Sequence, residues 1–412
     1  MKVLQINNVH YRRGGADAVY LNTAELLQQH GNEVVFFNML KKDNLPCKDE
    51  KYWVSSLESR PKGLTSTLIE LRNFFYNPEA AKKIEELINA EHPDIAHIHL
   101  FWGCGISPSI CKVLKKHGIP LVQTVHDYRM ICPIALLMDS KGQVCEKCKG
   151  KHFYKAIFKV CSKHGLANSA VMAAEMYYHN IKFYPTKVVD GFIFVSNFSY
   201  QKHCQYMPKL KEANSIVLYN FYNAGGTWTN TFNRKHFLFY GRLSHEKGLM
   251  TLLQAFKDLC DVQLIIVGNG PLDNEAQKFV TEHNMNNVSF LGYKTGDELK
   301  RLICDASFVI VPSECYENNP MTIVESYSMG IPVIGSRIGG IPEIIVEDQT
   351  GYTFEKGNFE ELSSVVKKVV SIDEKAYQTL SVNAKAFATK HFESDTYYNN
   401  LMSFYNKTKK LL

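Results

Sequence analysis

Glu317 and Glu325 stand with seven residues between them in the stretch from Ser307 to Gly330. Glu325 lies between Ile323-Val324 and Tyr327, so a helix packed on a sheet would bury part of it. A partly buried carboxylate is costly unless something hydrogen-bonds it, and a ribose or sugar hydroxyl is one such partner. A solvated Glu on an ordinary amphipathic helix is the other reading, and the pair alone leaves both open. Upstream, Gly241-Arg242 and Lys247-Gly248 bring two cations close together in the chain. Arg can grip a diphosphate through two hydrogen bonds, and Lys supplies a point charge against a developing negative charge. A solvated surface pair is the alternative. His126 follows the run Pro120-Leu121-Val122-Gln123-Thr124-Val125; at the carboxyl end of a parallel strand it would face the crevice where α/β enzymes bind ligands. A histidine capping the next loop fits the same position. Cys132, Cys145, Cys148 and Cys161 are spaced Cys-x12-Cys-x2-Cys-x12-Cys. Four thiolates suit a tetrahedral structural zinc, and four unrelated buried thiols fit the same spacing. Zinc there would staple an insertion with little core of its own and leave no open position for catalysis.

These residues need elements to hold them. Phe308-Val309-Ile310-Val311 is the apolar, β-branched run of a parallel strand buried on both faces. Pro312 and Ser313 end it, a loop carries Glu317, Asn318 and Asn319, and Pro320 occupies a first helical position with Asn319 as its cap and Gly330 past the end. Strand, loop and helix N-terminus put free N–H groups of Asn319, Pro320's successor Met321 and their neighbours at a sheet edge, where an anion belongs. The same plan recurs from the start: a strand at Val3–Ile6, a loop with Arg12, Arg13, Gly14 and Gly15, a helix over Asp17–Gln29, and a strand at Glu33–Phe37. Further strands are expected at Asp94–His99, Pro120–Val125, Asp190–Ser196 and Ser215–Asn220, with a helix over 79–92. His97 and His99 share one strand face and fit a structural role better than a two-His metal site; Phe101-Trp102-Gly103 forms a candidate acceptor lip. After a polar linker at 222–234, strands follow at His236–Tyr240, Val262–Val267, Val288–Tyr293, the central run and Pro332–Ser336. Helices over 360–370, 374–390 and the last 20 residues close the chain. Gly268-Asn269-Gly270-Pro271 is no dinucleotide fingerprint, because the third glycine is missing and Pro interrupts.

The Glu317-x7-Glu325 pair, the Gly241-Arg242…Lys247-Gly248 pattern and the loop Gly339-Gly340-Ile341-Pro342-Glu343 together resemble the retaining glycosyltransferases of family 4. The likeness runs over nearly the whole chain and is densest from Gly241 to Glu343. Asn318-Asn319-Pro320 replaces the family's usual glycine-rich loop. The resemblance implies an α/β protein of GT-B fold: two doubly wound Rossmann-like domains facing across a cleft. Residues 1–222 would be the acceptor domain, with 392–412 packing back on it, and 223–391 the donor domain. It implies that Glu317 lies by the donor sugar, Glu325 holds the nucleotide ribose, and Arg242 and Lys247 bind the diphosphate. It likewise places His126 beside the donor sugar in a catalytic role, Gly14 and Gly15 near the diphosphate, and Gly292 and Tyr293 in the base-contacting loop. Asn318, Asn319, Pro320 and Met321 complete the donor site. The implied reaction moves a sugar from a UDP- or GDP-sugar to a hydroxyl of a saccharide or lipid-linked acceptor with retention, in cell-surface polysaccharide or glycolipid synthesis. No catalytic metal is expected, since no Asp-x-Asp motif occurs. A GT-B epimerase or phosphorylase, and a non-catalytic donor-binding subunit, are the competing readings.

The 412 residues suffice for two α/β domains, and 45% hydrophobic with 21% charged residues is an ordinary globular composition. The amino terminus lacks a signal-peptide core and no apolar run is long enough to cross a membrane, so a cytoplasmic protein with mostly free thiols is expected from its eleven cysteines. The net charge of +6 is uneven: residues 1–222 hold 28 Lys/Arg against 19 Asp/Glu, leaving 19 against 22 for the rest. Within 141–187 nine Lys face two Glu, interleaved with Phe153, Tyr154, Phe158, Tyr177, Tyr178, Phe183 and Tyr184. A solvated lysine face is one reading and peripheral contact with an anionic membrane at its inner face another. Nucleic acid is not expected, because no binding motif accompanies the charge.

Overall fold

The computed structural model describes residues 1–56, 64–100, 102, 105–225 and 228–411. The chain divides into two compact units: Met1–Ser140 with Cys145–Leu218 and Tyr397–Leu412, and Lys141–Val144 with Tyr219–Thr396.

The first unit is built on six parallel strands: β1 (Lys2–Ile6), β2 (Glu33–Phe37), β3 (Ile95–Ile98), β4 (Leu121–Val125), β5 (Gly191–Phe194) and β6 (Ser215–Val217). Their order is β2-β1-β3-β4-β5-β6, with every pair in parallel register. All of β3, β4 and β5 is buried, as apolar runs covered on both faces require. The crossovers carry helices α1 (Gly15–Gln29), α2 (Leu64–Phe75), α3 (Pro78–Glu91), α4 (Ser109–Lys116), α5 (Lys155–Phe158), α6 (Leu166–Lys182), α7 (Pro185–Val188) and α8 (Asn197–Tyr206).

The second unit repeats the plan with β7 (His236–Tyr240), β8 (Leu264–Val267), β9 (Val288–Phe290), β10 (Ala306–Val311), β11 (Val333–Ser336) and β12 (Gly351–Phe354). The order is β12-β11-β10-β7-β8-β9, again parallel throughout. Its helices are α9 (Leu249–Phe256), α10 (Asp273–Glu282), α11 (Gly296–Cys304), α12 (Met321–Ser328), α13 (Ile341–Ile344), α14 (Phe359–Val370) and α15 (Glu374–His391). Phe237, Phe256, Phe308 and Tyr377 anchor the core on one sheet face, and Val309, Ile323, Val324 and Tyr327 on the other. The strand order reverses between β1 and β3 in the first unit and between β7 and β10 in the second; doubly wound sheets bind ligands beyond the carboxyl ends of such strands.

The terminal helix α16 (Ser394–Lys409) packs on the first unit through residues 397–409. Tyr398 stacks on His30 with centroids 3.8 Å apart, Asn214 donates to Thr408 Oγ1 at 2.9 Å, and Lys409 pairs with Asp94 at 3.0 Å. Among the described residues no helix is long and apolar enough to cross a membrane.

Three local expectations fail. α12 begins at Met321 with Pro320 as its cap, not Asn319, because the Asn319 side chain accepts the Asn220 N–H at 2.9 Å instead. Trp102 is no exposed lip: it is buried and donates to Gln123 on β4 at 3.0 Å, while Phe101 and Gly103 lie outside the described residues. Strand β12, four residues long, has no counterpart in the sequence reading.

Candidate active site

In the second unit the loops after β7 and β10 meet at the reversal point. Gly248 has φ +69°, and a Cβ there would sit 1.8 Å from the Pro312 carbonyl oxygen, so only glycine lets the two loops approach. The Glu314 N–H donates to the Glu246 carbonyl at 3.0 Å, tying the loops along their backbones. Their closeness brings Lys247 Nζ to 2.5 Å from Glu317 Oε1, and the Ser313 hydroxyl donates to the same oxygen at 2.7 Å. Burial alone would lower the Lys247 pKa, but the Glu317 charge lifts it above its ordinary value. Burial alone would raise Glu317, but Lys247 and Ser313 hold it below the usual carboxylate range. The pair is therefore fully ionised near neutral pH.

A third loop supports it from behind. The Gly340 N–H donates to the Glu317 carbonyl at 2.7 Å, and a Cβ on Gly339, whose φ is +63°, would meet that oxygen at 2.4 Å. Glu343, on α13, accepts from the Tyr219 hydroxyl at 2.6 Å. Asn318 and Asn319 are buried, the latter bound at both side chain and carbonyl by Asn220. Pro320 then hands over to α12, whose first amides, Met321 among them, lack helical partners and carry the positive end of the helix dipole. Glu325 is half-buried on α12, near Tyr240, whose hydroxyl pKa is raised by burial first and by the Glu325 charge next. Tyr240 donates to the Thr322 carbonyl at 2.9 Å. Arg242 is exposed directly after β7. Gly292 and Tyr293 follow β9; the Gly292 carbonyl accepts from the Gly268 N–H at 2.9 Å, and Tyr293 is 65% exposed. Lys247, Glu317 and Ser313 thus meet, and Arg242, Glu325 and Tyr293 occupy neighbouring loop or helix positions on the same sheet.

The first unit holds a different set. Gly14 caps α1 with extended backbone, Gly15 is its first residue, and both are exposed. Nothing lies within 4 Å of where a Gly14 Cβ would be, so this helix end is open. Beneath it Asp17 accepts from Asn7 at 2.9 Å; burial raises its pKa, with Asn7 and Arg13 opposing.

His126 stands directly after β4, its Nε2 2.9 Å from His99 Nδ1 and the two rings stacked at 5.2 Å. His99 Nε2 is 3.1 Å from Gln5 Oε1. His97 Nε2 is 2.7 Å from Thr124 Oγ1, and its Nδ1 meets the Tyr405 hydroxyl at 2.6 Å and Gln5 Nε2 at 3.4 Å. The Gln5 amide fixes the proton order. Its oxygen can only accept, so His99 donates from Nε2 and accepts at Nδ1. His126 therefore donates from Nε2 and carries its lone pair on Nδ1. Burial pushes His126 and His97 down to about 3 and His99 well below its ordinary value, so all three stay neutral near pH 7. Every ring nitrogen of His97 and His99 has a protein partner. Gln5 and Tyr405 escaped the sequence reading; the usable signal was a glutamine interrupting the otherwise apolar Val3–Ile6.

Cys132, Cys145, Cys148 and Cys161 are all free thiols of the first unit. Burial lifts Cys148 to about 12, with Cys132, Cys161 and Cys145 adding to the rise, so the four share one neighbourhood. Among the described residues no group of three or more His, Cys, Asp or Glu is arranged to hold a metal ion.

Two doubly wound parallel sheets make this an α/β protein of the GT-B class. Sucrose-phosphate synthase from Thermosynechococcus elongatus superposes over 100% of both chains with TM-score 0.72 at 17% identity. Anabaena HepE in complex with UDP-glucose does so over 100% of both chains with TM-score 0.64 at 18% identity. An uncharacterized glycosyltransferase of Methanocaldococcus jannaschii is 28% identical over 323 residues, 78% of each chain. The family described as "Glycosyltransferase Family 4" matches residues 13–224, and "Glycosyl transferases group 1" matches 229–387. The chain belongs to glycosyltransferase family 4 and is a glycosyltransferase.

Proposed function

We propose that this glycosyltransferase moves a sugar from a UDP- or GDP-sugar onto an acceptor hydroxyl with retention at the anomeric carbon, in the synthesis of a cell-surface polysaccharide or glycolipid. The observation that carries the reading is the ionised Lys247–Glu317 pair at the β7/β10 reversal. A lone buried Lys would lose its proton readily; this one is kept charged by Glu317 and can meet a phosphate oxygen. In the reaction the bond from the anomeric carbon to the diphosphate oxygen breaks and a bond to the acceptor oxygen forms. The acceptor's proton leaves to the released diphosphate or to solvent.

Arg242, Lys247 and the N-terminus of α12 from Asn319 to Met321 would stabilise the diphosphate charge, which lets the site work without a catalytic metal. Glu317, held ionised, would accept from sugar hydroxyls while keeping Lys247 in place, and Glu325 would accept from the ribose. Gly14 and Gly15 would approach the diphosphate, Gly292 and Tyr293 the base, and Asn318 would line the sugar loop. His126, neutral and oriented by His99, would hydrogen-bond the donor sugar. The UDP-glucose bound by HepE supports a nucleotide-sugar donor. A structural zinc at Cys132, Cys145, Cys148 and Cys161 stands as a further proposal; elemental analysis of protein purified without added metal should give about one zinc per chain, and a folded metal-free protein would refute it.

The test is incubation with a panel of UDP- and GDP-sugars and saccharide or lipid-linked acceptors, followed by NMR. Release of nucleoside diphosphate with a product of unchanged anomeric configuration supports the reading. An inverted product refutes retention, donor isomerisation without acceptor indicates an epimerase, and nucleotide binding without turnover indicates a donor-binding subunit.

A further inference from the structure

Helix α6 is inside out. At 100° per residue, Leu166, Ala170, Ala174, Tyr177 and Ile181 fall on one stripe, with Ala167 and Tyr178 beside it. This stripe, without a charge, faces solvent: Leu166, Ala167, Ala174 and Ile181 are exposed, Ile181 to 76%, and the two tyrosines are half-buried. The polar residues Glu175 and His179 point inward instead, while Lys182 at the helix end is exposed. Glu175 is fully buried, with Arg129 at 2.7 Å and His179 at 2.5 Å, and His179 also bonds the Phe75 carbonyl at 2.9 Å. An amphipathic helix on a globular domain has the opposite polarity.

The neighbouring elements extend the apolar face. On α2, which packs against α6, Leu68 is 58% exposed and Leu71 is exposed, whereas Asn73 is buried. On α5, which packs against the other part of α6, Phe158 is 82% exposed and contacts the exposed Tyr154 ring edge-on at 6.3 Å. Phe75 joins α2 to Tyr178 of α6 at 5.6 Å. Of the sixteen exposed large hydrophobic residues among those described, eight lie in 64–75 and 136–181, far more than the scatter of single apolar residues normal on a surface.

Lysines rim this face. Lys155 and Lys159 flank Phe158, Lys163 precedes Leu166, and Lys182 follows Ile181. Lys151 and Lys187 lie just beyond and are exposed. The two glutamates of the stretch offer no counter-charge outward: Glu175 is buried, and Glu146 pairs with Lys202 at 2.6 Å. Glu70 on α2 and Asp139 are half-buried, so cations outnumber carboxylates around the apolar groups, a combination complementary to a bilayer of anionic lipid.

We propose that the α2–α5–α6 face of the first unit docks on an anionic membrane, with Phe158, Ile181 and Leu68 entering the headgroup boundary and the lysines meeting lipid phosphates. The proposal goes beyond the transfer reaction and does not depend on which donor is used. It is tested by flotation of the full chain with vesicles of phosphatidylcholine alone and of phosphatidylcholine with phosphatidylglycerol, at low and high salt. The wild type should float with the anionic vesicles only, and less so at high salt. Changing Lys151, Lys155, Lys159 and Lys163 to Gln should cut binding by at least about tenfold. Phe158→Ser with Ile181→Ser should do the same by about tenfold without altering the circular dichroism. A wild type that stays unbound at low salt, or variants that bind as well as it does, would overturn the proposal. So would a dimer in sedimentation velocity that the Phe158→Ser, Ile181→Ser change dissolves, since the face would then belong to a second copy.

Discussion

The two units share a topology and differ in electrostatics at the point where each strand order reverses. At β7/β10 the second unit keeps two ions in contact, Lys247 and Glu317, each holding the other charged against burial. Along β1, β3 and β4 the first unit keeps three imidazoles neutral, joined through Gln5 and closed by Thr124 and Tyr405. One arrangement can answer a diphosphate's charge. The other can only donate and accept hydrogen bonds, in a proton order set by an amide that cannot titrate. Parallel sheets offer the same edge in both units; the side chains there decide what it recognises.

The largest effects should follow from breaking the charged half. Lys247→Ala is expected to lower kcat/KM by roughly a hundred- to a thousandfold, since one charge-assisted contact to a developing anion is worth about 2.7–4 kcal/mol. It also leaves Glu317 buried without its cation, so Tm should drop by several degrees. Arg242→Ala should lower kcat/KM by about ten- to a hundredfold with Tm unchanged, because Arg242 is exposed. Steady-state kinetics beside thermal melts separates the two; near-normal kinetics in both variants would remove the diphosphate assignment.

Breaking the neutral half should cost less. His126→Ala is expected to reduce kcat by roughly ten- to a hundredfold, the effect of losing one positioned hydrogen bond of about 1–3 kcal/mol. Restoring part of that rate with His126→Asn would point to hydrogen bonding, whereas an inactive Asn variant would require proton transfer.

The contrast also has a pH signature. His97 and His126 have folded pKa values of about 3 against 6.5 unfolded, so their share of stability is complete above 6.5 and is lost as pH falls toward 3. His10 and His203, each pushed to about 4 chiefly by burial, act in the same sense. Each such histidine costs about 1.4 kcal/mol per pH unit inside its window. Glu317 is lowered from 4.5, so its contribution is present above 4.5 and lost only below that. His236 on β7 is also lowered by burial, so acidification from 6.5 to 4.5 should loosen β3 and β4, with His97, His99 and His126 together, more than β7 and β10. Hydrogen exchange, corrected for intrinsic rates, should show that difference, and equal loosening of both sheets would contradict it.

The smallest effect tests the far end of the histidine chain. Tyr405→Phe removes the donor to His97 Nδ1 and should cost about 1 kcal/mol of stability by chemical denaturation. No change at all would mean that α16 holds the chain by packing alone.

Much of this was legible in the sequence. Apolar β-branched runs such as Phe308–Val311 marked buried parallel strands, and the Gly241-Arg242…Lys247-Gly248 pattern marked two cations close together in the chain. What stayed hidden was whatever depends on residues far apart in the chain. Asn319 looked like a helix cap because its competitor, Asn220, lies 99 residues away. The partner of His97 is 308 residues distant on α16. Helix α6 misleads in another way: periodicity reports that a helix has two faces, and only the buried Arg129–Glu175 pair shows that its polar face points in. β12, with four residues and no alternation, gives periodicity nothing to register.

Nucleoside diphosphate binding tests the central claim most directly, because it needs neither the sugar nor the acceptor to be known. UDP and GDP should be titrated calorimetrically into the wild type, Arg242→Ala, Lys247→Ala and, as a control cation paired with Asp348 at the surface, Lys368→Ala. The expected result is that the wild type and Lys368→Ala bind one of the two equally well, while Arg242→Ala and Lys247→Ala each bind at least about tenfold more weakly. Equal affinity in all four proteins, or a folded wild type that binds neither nucleotide, would contradict a diphosphate site at the β7/β10 edge.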